Sequence, residues 1–550
     1  MARLETHSQL KLLTAQPIDY LIIAAYFVVV LSIGAFVSRR MKSSEDFFES
    51  GRSLPAWVAG LALMSANLGA FELLGFSGQA AEYGIMACHF YWVGAIPGML
   101  FLGVVMMPFY YNSKIRSVPE YLQKRYNEPT RAVNALTFAV STLIFSGVSM
   151  YSMGLIFHDL LGWDINITIW LAAGIVLAYT LLGGLTSSIY NEVLQFFLIL
   201  AGLTPLAWIG LHAVGGAHAL LAHLPPPDRH VWAGTSHAAS NPMHITWPVL
   251  VMGLGTILGP GYWCTDFLII QRALAAKDVN AAQRAPLIAA FPKALFPFLT
   301  VLPGLIALLV IPHLGEKGNI ALGYNNALPL LMGKFYGPGL LGLGLTAMMA
   351  SFMSGMAGNT TAFNTVFTYD LYQAYFVKNR DDKHYLNVGR AATVFGILAS
   401  IGAAYLVSKA PSIMDFAQAV FGFVNAPLLG TFLLGMFYKK TTPWGAFFGL
   451  LLGTAAAAVH YVLSDHGVLH YATPQEGNFT RAIVAFTVGA ASTLLISLFT
   501  MPRLAAELVG YVYSETPRPE ADAHRPWFER PVVLAAVVIV FVIVLNILVW

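Results

Sequence analysis

Apolar runs long enough to cross a lipid bilayer recur along the whole chain, and they restrict its fold more than any other feature. A membrane-spanning helix rises about 1.5 Å per residue and needs roughly 20 apolar residues. Of the 550 residues, 57% are hydrophobic and 10% are charged, which is too apolar a balance for a soluble protein. The length of the runs therefore predicts an all-α polytopic membrane protein, in contact with the lipid bilayer along most of its length.

We predict about fourteen transmembrane helices. Their approximate bounds are 19–37, 56–78, 85–110, 132–156, 165–182, 192–214, 247–270, 287–311, 340–367, 388–407, 414–438, 444–463, 481–499 and 532–550. Basic residues follow every second span, beginning with Arg39 and Arg40. Because positively charged loops stay in the cytoplasm, this pattern predicts a bacterial-type inner-membrane protein with both termini outside. The net charge of +3 is too small to indicate a nucleic-acid partner.

The run 56–78 carries polar and small residues at its centre. Those at mid-depth are Ser65, Asn67, Gly69 and Glu72. A charge at this depth is costly unless it lines a cavity, so we predict a broken helix at a binding site. The alternative is a continuous span whose polar side chains only hydrogen-bond neighbouring helices.

A second interruption is predicted in 247–270, five spans later. The run Gly259-Pro260-Gly261 removes a backbone donor and two side chains in mid-span, and a helix can open there only if the freed groups face protein or water. Two broken helices at corresponding positions of two five-helix halves are typical of a secondary transporter built from inverted repeats. A simple proline kink is the alternative.

The span 340–367 has a stripe of small residues on one face. The stripe consists of Gly344, Ala347, Ser351, Gly355, Gly358 and Ala362. Such a face lets another backbone approach closely. The hydroxyls of Ser351 and Ser354, together with carbonyl oxygens released by the break near Ala66, predict a site for an alkali cation, since alkali metals prefer oxygen ligands. The alternative is a close helix crossing with serines bonded back to their own helix.

Four strings in the chain resemble those of a known family. They are Ser65-Ala-Asn-Leu-Gly, Tyr262-Trp-Cys-Thr-Asp266-Phe-Leu-Ile-Ile-Gln-Arg272, Tyr369-Asp-Leu-Tyr-Gln-Ala-Tyr375 and Gly435-Met-Phe-Tyr-Lys-Lys-Thr-Thr442. The family is the sodium/solute symporter family, and the strings are most similar to its sodium/glucose (galactose) cotransporter branch. The resemblance implies a LeuT-like core of five plus five helices in inverted repeats, with discontinuous first and sixth core helices. It also implies alternating access driven by a sodium gradient.

The resemblance divides the chain into five parts. They are an N-terminal extra helix and cytoplasmic loop (1–53), a first five-helix repeat (54–214), an extracellular loop (215–245), a second five-helix repeat (246–438) and three C-terminal helices (439–550).

Carried over by position, the family's sodium site would use backbone oxygens and two hydroxyls. The matching backbone oxygens belong to Ser65, Leu68 and Ser351, and one hydroxyl belongs to Ser354. The second hydroxyl is absent because the next residue is Gly355. Glu192 matches an acidic position on the family's inner sodium route, and its alternative role is that of a loop-edge carboxylate with no specific function.

The family's solute site carries over in part. Lys293 and Gln418 match polar ligands of bacterial sugar transporters, and Tyr262 matches the aromatic residue that closes the site from inside. The positions that depart from the family pattern are Glu72 in place of Gln or His, Tyr91 in place of Glu, Gly94 in place of Ser and Gly259 in place of Asn. Glu72 and Lys293 are expected to bond solute hydroxyls or to pair with each other. Tyr91 and Trp92 are expected to stack on the solute, with helix or lipid packing as the alternative.

The sequence thus predicts sodium-coupled symport of a small polar solute, with a sugar or a related polyol or sugar acid as the expected substrate. The alternatives are a carboxylate, amine or other metabolite, proton coupling, and a transporter-like solute sensor. The chain has no His-Glu-x-x-His, Gly-x-Ser-x-Gly or phosphate-loop motif, so an enzyme is not predicted.

Overall fold

The computed structural model describes residues 15–39, 44–232, 234–316, 322–408, 412–516 and 526–549. Within these ranges the chain is helical, and the only β-pairing is an isolated parallel bridge between Leu54 and Ala276. Arg40, on which the predicted orientation partly rests, lies outside the described residues.

The helices are numbered here in chain order. They are α1 (Pro17–Ser38), α2 (Ser44–Glu49), α3 (Ala56–Asn67), α4 (Ala70–Tyr83), α5 (Phe90–Asn112), α6 (Val118–Arg125), α7 (Glu128–Leu161), α8 (Ile165–Ala213), α9 (Ala217–His223), α10 (Trp247–Val249, continuing through Leu250–Leu258 and Gly259–Thr265), α11 (Phe267–Leu274), α12 (Val279–Val310), α13 (Ala327–Phe335), α14 (Leu340–Phe376), α15 (Asp382–Val407), α16 (Ile413–Phe437), α17 (Pro443–Asp465), α18 (Pro474–Ser497) and α19 (Pro531–Leu548).

Among the described residues, 11 helices are long and apolar enough to cross a membrane, or up to 12 when the bent pair formed by α3 and α4 is included. The all-α spanning architecture is thus confirmed, while the count of fourteen stays a prediction. The spans predicted at 165–182 and 192–214 meet within α8, where the backbone leaves the helical conformation at Gly184 and a second helix begins. Gly184 has φ 51°, and a Cβ there would lie 2.7 Å from the carbonyl oxygen of Phe47, so only glycine fits.

The first predicted break is confirmed at Leu68 and Gly69. Leu68 has ψ 60° and Gly69 has ψ 159°, and the helices on either side are bent by 62°. The N–H of Leu68 donates to the carbonyl oxygens of Met64 and Ser65. The carbonyl of Leu68 points away from this last turn and accepts a bond from another helix, described below.

The second break lies at Asp266, so its predicted position at Gly259-Pro260-Gly261 is wrong. Pro260 falls in the first turn of an α-helical segment that follows the wider π-helical turns of Leu250–Leu258, where a missing N–H is tolerated. Gly259 serves close packing instead, because a Cβ there would lie 1.9 Å from the carbonyl oxygen of Gly94 on α5. Asp266 is extended, with ψ 120°, and its carboxylate caps α11 by accepting from the N–H of Leu268 at 2.9 Å.

The long helix α14 packs against the first break as well as against α7 and α8. Its small residues make this possible: a Cβ on Gly355 would lie 2.9 Å from the Cα of Gly69, and one on Gly358 would lie 3.3 Å from the Cβ of Ala66. The predicted close approach along this face is confirmed. The N-terminal end of α14 is held by Asp19 of α1, whose carboxylate accepts from the N–H groups of Gly339 and Gly342 at 2.7 and 2.8 Å.

Candidate functional site

A cavity of about 70 Å³ lies beside the first break and is lined by α3, α4, α5, α10, α12 and α16. The residues predicted for the solute site that line it are Glu72, Tyr91, Tyr262, Lys293 and Gln418. Aromatic side chains form much of the remaining wall, including Phe71, Phe76, Phe90, Trp263 and Phe421. The cavity is narrow, and its apolar walls with a few polar groups have the composition usual for small-molecule sites.

A buried ion pair stands at the polar side of this cavity. Lys293 Nζ donates to Glu72 Oε1 at 2.5 Å, and both side chains are 3% exposed. Lys293 also donates to Asn67 Oδ1, and Asn67 Nδ2 donates to the hydroxyl of Tyr262 at 2.9 Å. Lys293 therefore lies in the cavity and does not extend toward the membrane surface. The chain of bonds connects the two broken helices.

Aromatic rings surround the ammonium group of Lys293. Its Nζ is 5.0 Å from the ring centroid of Tyr91, 5.5 Å from that of Trp263 and 5.7 Å from that of Phe296. A cation at these distances is attracted by the ring quadrupole. The hydroxyl of Tyr91 shares a hydrogen bond of 2.9 Å with Thr300 Oγ1, so this ring is held in place at the cavity wall.

Trp92 does not line the cavity. Its Nε1 donates to the carbonyl oxygen of Ala294 at 2.9 Å, which places the indole between α5 and α12. This contact favours the packing alternative for Trp92. Gln418 does line the cavity, and its Nε2 contacts Met414 Sδ at 3.7 Å on the same helix.

Two serine side chains of α14 form hydrogen bonds with oxygen atoms at the first break. Ser351 Oγ donates to the carbonyl oxygen of Leu68 at 2.5 Å, and Ser354 Oγ donates to Ser65 Oγ at 2.9 Å. All four residues are fully buried. The donors at this contact are hydroxyl and carbonyl oxygens. This donor set fits an alkali cation.

The glycine at position 355 belongs to a close backbone contact. Because a Cβ there would lie 2.9 Å from the Cα of Gly69, a serine at this position would require α14 or the break to shift. Glycine at position 355 therefore removes a hydroxyl and at the same time allows the backbones of α14 and the first break to lie in close contact. The carbonyl oxygen of Ala66 is 3.9 Å from the same Cβ position.

Glu192 forms a buried ion pair with Arg272. Its Oε1 is 2.6 Å from Arg272 Nη2 and its Oε2 is 3.2 Å from Arg272 Nε, and both side chains are 0% exposed. Arg272 also donates to the carbonyl oxygen of Leu268 at 3.0 Å and contacts Thr361 Oγ1 at 3.4 Å. Glu192 lies within α8, so the loop-edge alternative is wrong.

Several residues of the site were not identified from the sequence. Asn67 is one of the polar residues at the centre of the run 56–78, and this position indicates a role at the break. Arg272 is the last residue of one of the four strings that resemble the family. Thr300 and Phe421 had no such signal, because only the folded helices bring them to the cavity.

The chain matches a known family over most of its length. The model of the family described as "Sodium:solute symporter family" matches residues 47–453. A sodium/glucose cotransporter of Vibrio parahaemolyticus is 32% identical over 459 residues, covering 79% of this chain and 83% of the relative. Sodium/glucose cotransporter 2 of Rattus norvegicus is 30% identical over 485 residues, covering 80% of this chain and 71% of the relative.

Two solved structures share the fold. A Na+-coupled sialic acid symporter in a substrate-bound outward-open state superposes with a TM-score of 0.74 at 20% identity, covering 88% of this chain and 98% of that one. The nucleobase-cation-symport-1 family transporter MHP1 superposes with a TM-score of 0.50 at 14% identity, covering 84% and 96%. The LeuT-like architecture is thereby confirmed.

Proposed function

The chain belongs to the sodium:solute symporter family, and from this premise we propose that it is a secondary active transporter that imports a small polar solute together with sodium. It is a multi-pass membrane protein and not an enzyme. The expected solute is a sugar or a related polyol or sugar acid, as the sodium/glucose cotransporters among its relatives suggest. We further propose an inner-membrane location with both termini outside, because the basic loops then face the cytoplasm.

The observation that carries this proposal is that one broken helix supplies polar groups both to the solute cavity and to the candidate cation site. Asn67 takes part in the bonds of the cavity, and the next residue, Leu68, offers its carbonyl oxygen to Ser351. The charged oxygens and nitrogen of Glu72 and Lys293 suit solute hydroxyls. The rings of the cavity wall suit the apolar face of a sugar ring.

Sodium would be held by the backbone oxygens of Ser65, Leu68 and Ser351 and by the hydroxyl of Ser354, and we assign Glu192 to the ion pathway beyond them. The cation supplies the free energy of its gradient. One charge moved across 100 mV is worth about 2.3 kcal/mol, and a tenfold concentration ratio adds about 1.4 kcal/mol. The sum of roughly 3.7 kcal/mol supports accumulation of a neutral solute by several hundredfold per sodium ion.

A solute panel tests the proposal directly. Purified protein in proteoliposomes is assayed for uptake of labelled hexoses, polyols, sugar acids, carboxylates and amines, with an inward sodium gradient and with potassium in its place. Uptake of a sugar-like solute that depends on sodium is the expected result. Uptake that proceeds equally in sodium-free buffer and follows a pH gradient contradicts sodium coupling.

Ser354→Ala is expected to raise the sodium concentration for half-maximal uptake by about tenfold, because the lost contact between the cation and the hydroxyl oxygen is comparable to a hydrogen bond to a charged group, about 1.5–3 kcal/mol. Solute affinity at saturating sodium should change much less. Uptake measured against sodium concentration shows both. Ser400→Ala is the matched control, since that buried hydroxyl bonds back to Gly396 on its own helix at 2.7 Å. An equal effect of the two variants would refute the assignment of Ser354.

Tyr262→Phe is expected to leave equilibrium binding of the solute within a few fold while changing the turnover rate. The variant loses only the hydroxyl that accepts from Asn67 and keeps the ring at the cavity wall. Tyr262→Ala should impair coupled transport because the ring itself is lost. Tyr405→Phe, at an exposed tyrosine, is the control. Loss of binding by Tyr262→Phe with normal turnover of the solute that still binds would oppose a gating role.

A further inference from the structure

A second cavity, of about 530 Å³, lies at the end of the helix bundle where α3 begins and α5 ends. It is separate from the solute cavity, with which it shares no lining residue. Its wall includes Glu49, Arg52, Tyr111, Lys114, Arg116 and Tyr369. These residues come from the segment before α3, from the end of α5 and the loop after it, and from α14.

The charges in this wall are mostly positive. Arg52, Lys114 and Arg116 face a single carboxylate, that of Glu49, which leaves two positive charges in excess. Glu49 lies 3.0 Å from Arg52 Nη2 and 3.2 Å from Arg116 Nε. Lys114 is exposed and has no carboxylate within ion-pair distance in the described part of the chain. The cavity therefore attracts anions.

Both arginines lie near aromatic rings. Arg52 Cζ lies 5.9 Å from the ring centroid of Tyr111, and Arg116 Cζ lies 5.0 Å from that of Tyr369. Arg52 Nη2 also donates to the carbonyl oxygen of Ile115 at 2.9 Å. A guanidinium group carries five N–H donors, so each arginine retains donors beyond these contacts. Arg52, which is bonded to both Glu49 and Ile115, therefore loses little side-chain freedom when it binds a ligand.

The backbone around the cavity is in an unfavourable conformation. Arg52 has φ 46° and Lys114 has φ 50°, and nearby Ser50 has φ 55°. Residues with a Cβ seldom occupy this left-handed region, and where they do the surroundings hold them there, often at functional sites. Here two of the three residues supply the cavity's positive charges.

We propose that this cavity binds a phosphate-bearing group, from either a lipid headgroup or a free phosphate compound, and that its occupancy regulates transport. Guanidinium forks match phosphate oxygens in geometry and charge, and an excess of two positive charges suits a phosphate. The wall joins α14 to segments that flank α3 and α5. A bound anion therefore favours the conformer in which these elements stay together, as any ligand favours the state it binds better.

Two measurements on the full-length protein test the proposal. The first is equilibrium dialysis of detergent-purified protein against radiolabelled inorganic phosphate at constant ionic strength. The second is sodium-driven uptake of the solute identified by the panel. It is measured in vesicles of phosphatidylcholine alone and in vesicles with one fifth phosphatidylglycerol. Each is made with wild type, with Lys114→Gln/Arg116→Gln, with Arg116→Lys and with the control Lys440→Gln, which removes an exposed charge from another basic loop.

We expect the double variant to bind phosphate at least tenfold more weakly, or to lose the effect of phosphatidylglycerol on uptake, while Lys440→Gln behaves as wild type and Arg116→Lys keeps part of the response. A response to phosphate alone identifies a free compound as the source, and a response to phosphatidylglycerol alone identifies a headgroup. Sodium-driven uptake in phosphatidylcholine shows that the variants are folded. Equal responses of wild type and the double variant in both measurements overturn the proposal, and so does an equal loss in Lys440→Gln.

Discussion

Replacing Glu72 by Gln is expected to weaken solute binding by about tenfold or more. The substitution keeps the shape of the side chain but removes a negative charge, and charge-assisted hydrogen bonds to a solute are worth about 1.5–3 kcal/mol each. It also leaves the ammonium group of Lys293 with Asn67 and the surrounding rings as its partners in the cavity. The dissociation constant of the solute identified by the panel, measured at fixed sodium concentration and pH for wild type and variant, gives the result.

The double variant Glu72→Gln/Lys293→Met separates recognition from stability. Replacing both members of a buried ion pair with neutral residues is often nearly neutral for stability, whereas removing one member leaves an uncompensated charge. We therefore expect the double variant to resist heat about as well as wild type and still to bind solute poorly. If Glu72→Gln binds the solute with the wild-type dissociation constant, Glu72 has a structural role only.

Arg272→Met is expected to lower the free energy of unfolding by about 3 to 5 kcal/mol, which is the usual cost of breaking a fully buried ion pair. Both Arg272 and Glu192 are 0% exposed, so the remaining carboxylate would have no access to water. The loss of stability is followed as a fall in the temperature at which half of the detergent-purified protein is no longer monodisperse. The double variant Glu192→Gln/Arg272→Met should recover much of it.

Arg284→Met provides the matched control for this experiment. Arg284 pairs with Glu529 at 3.2 Å, but these side chains are 24% and 32% exposed, and pairs that water reaches contribute only about 0–1 kcal/mol. A small effect at Arg284 and a large one at Arg272 are expected. Similar effects at the two positions would mean that burial does not determine the contribution of the Glu192 pair.

Much of the fold followed from the sequence because lipid restricts a chain so strongly. The lengths of the apolar runs predicted the spanning helices, and the polar centre around Ser65 and Glu72 predicted the first break. The second break was misplaced because the signal used was Gly259-Pro260-Gly261. A proline in the first turn of a helical segment does not open it, and these glycines allow close packing. The helix ends at Asp266. Aspartate is a common helix-capping residue, so this residue type alone did not distinguish a break in mid-membrane from an ordinary helix start.

The site was predictable where a charge lay in mid-membrane. Glu72 and Lys293 stood out because isolated charges are rare in such spans, and their pairing was one of the two expected outcomes. Trp92 illustrates the limit. Tyr91 and Trp92 are adjacent aromatic residues on one helix, and only the rotation of α5 about its axis determines which of them faces the cavity. That rotation depends on contacts with distant parts of the chain, such as Gly259 and Ala294.

The contact between Asp19 and α14 bears on the order in which the protein is assembled. Asp19 is synthesised before its partner Gly339, which follows 320 residues later. A carboxylate at the start of a helix stabilises the helix's exposed N–H groups. The start of α14 thus receives its acceptor from a segment that was made long before it. We expect nascent chains that end before Gly339 to hold α1 through its packing on α8 alone, and the contact of Asp19 with α14 to form only when α14 has been inserted.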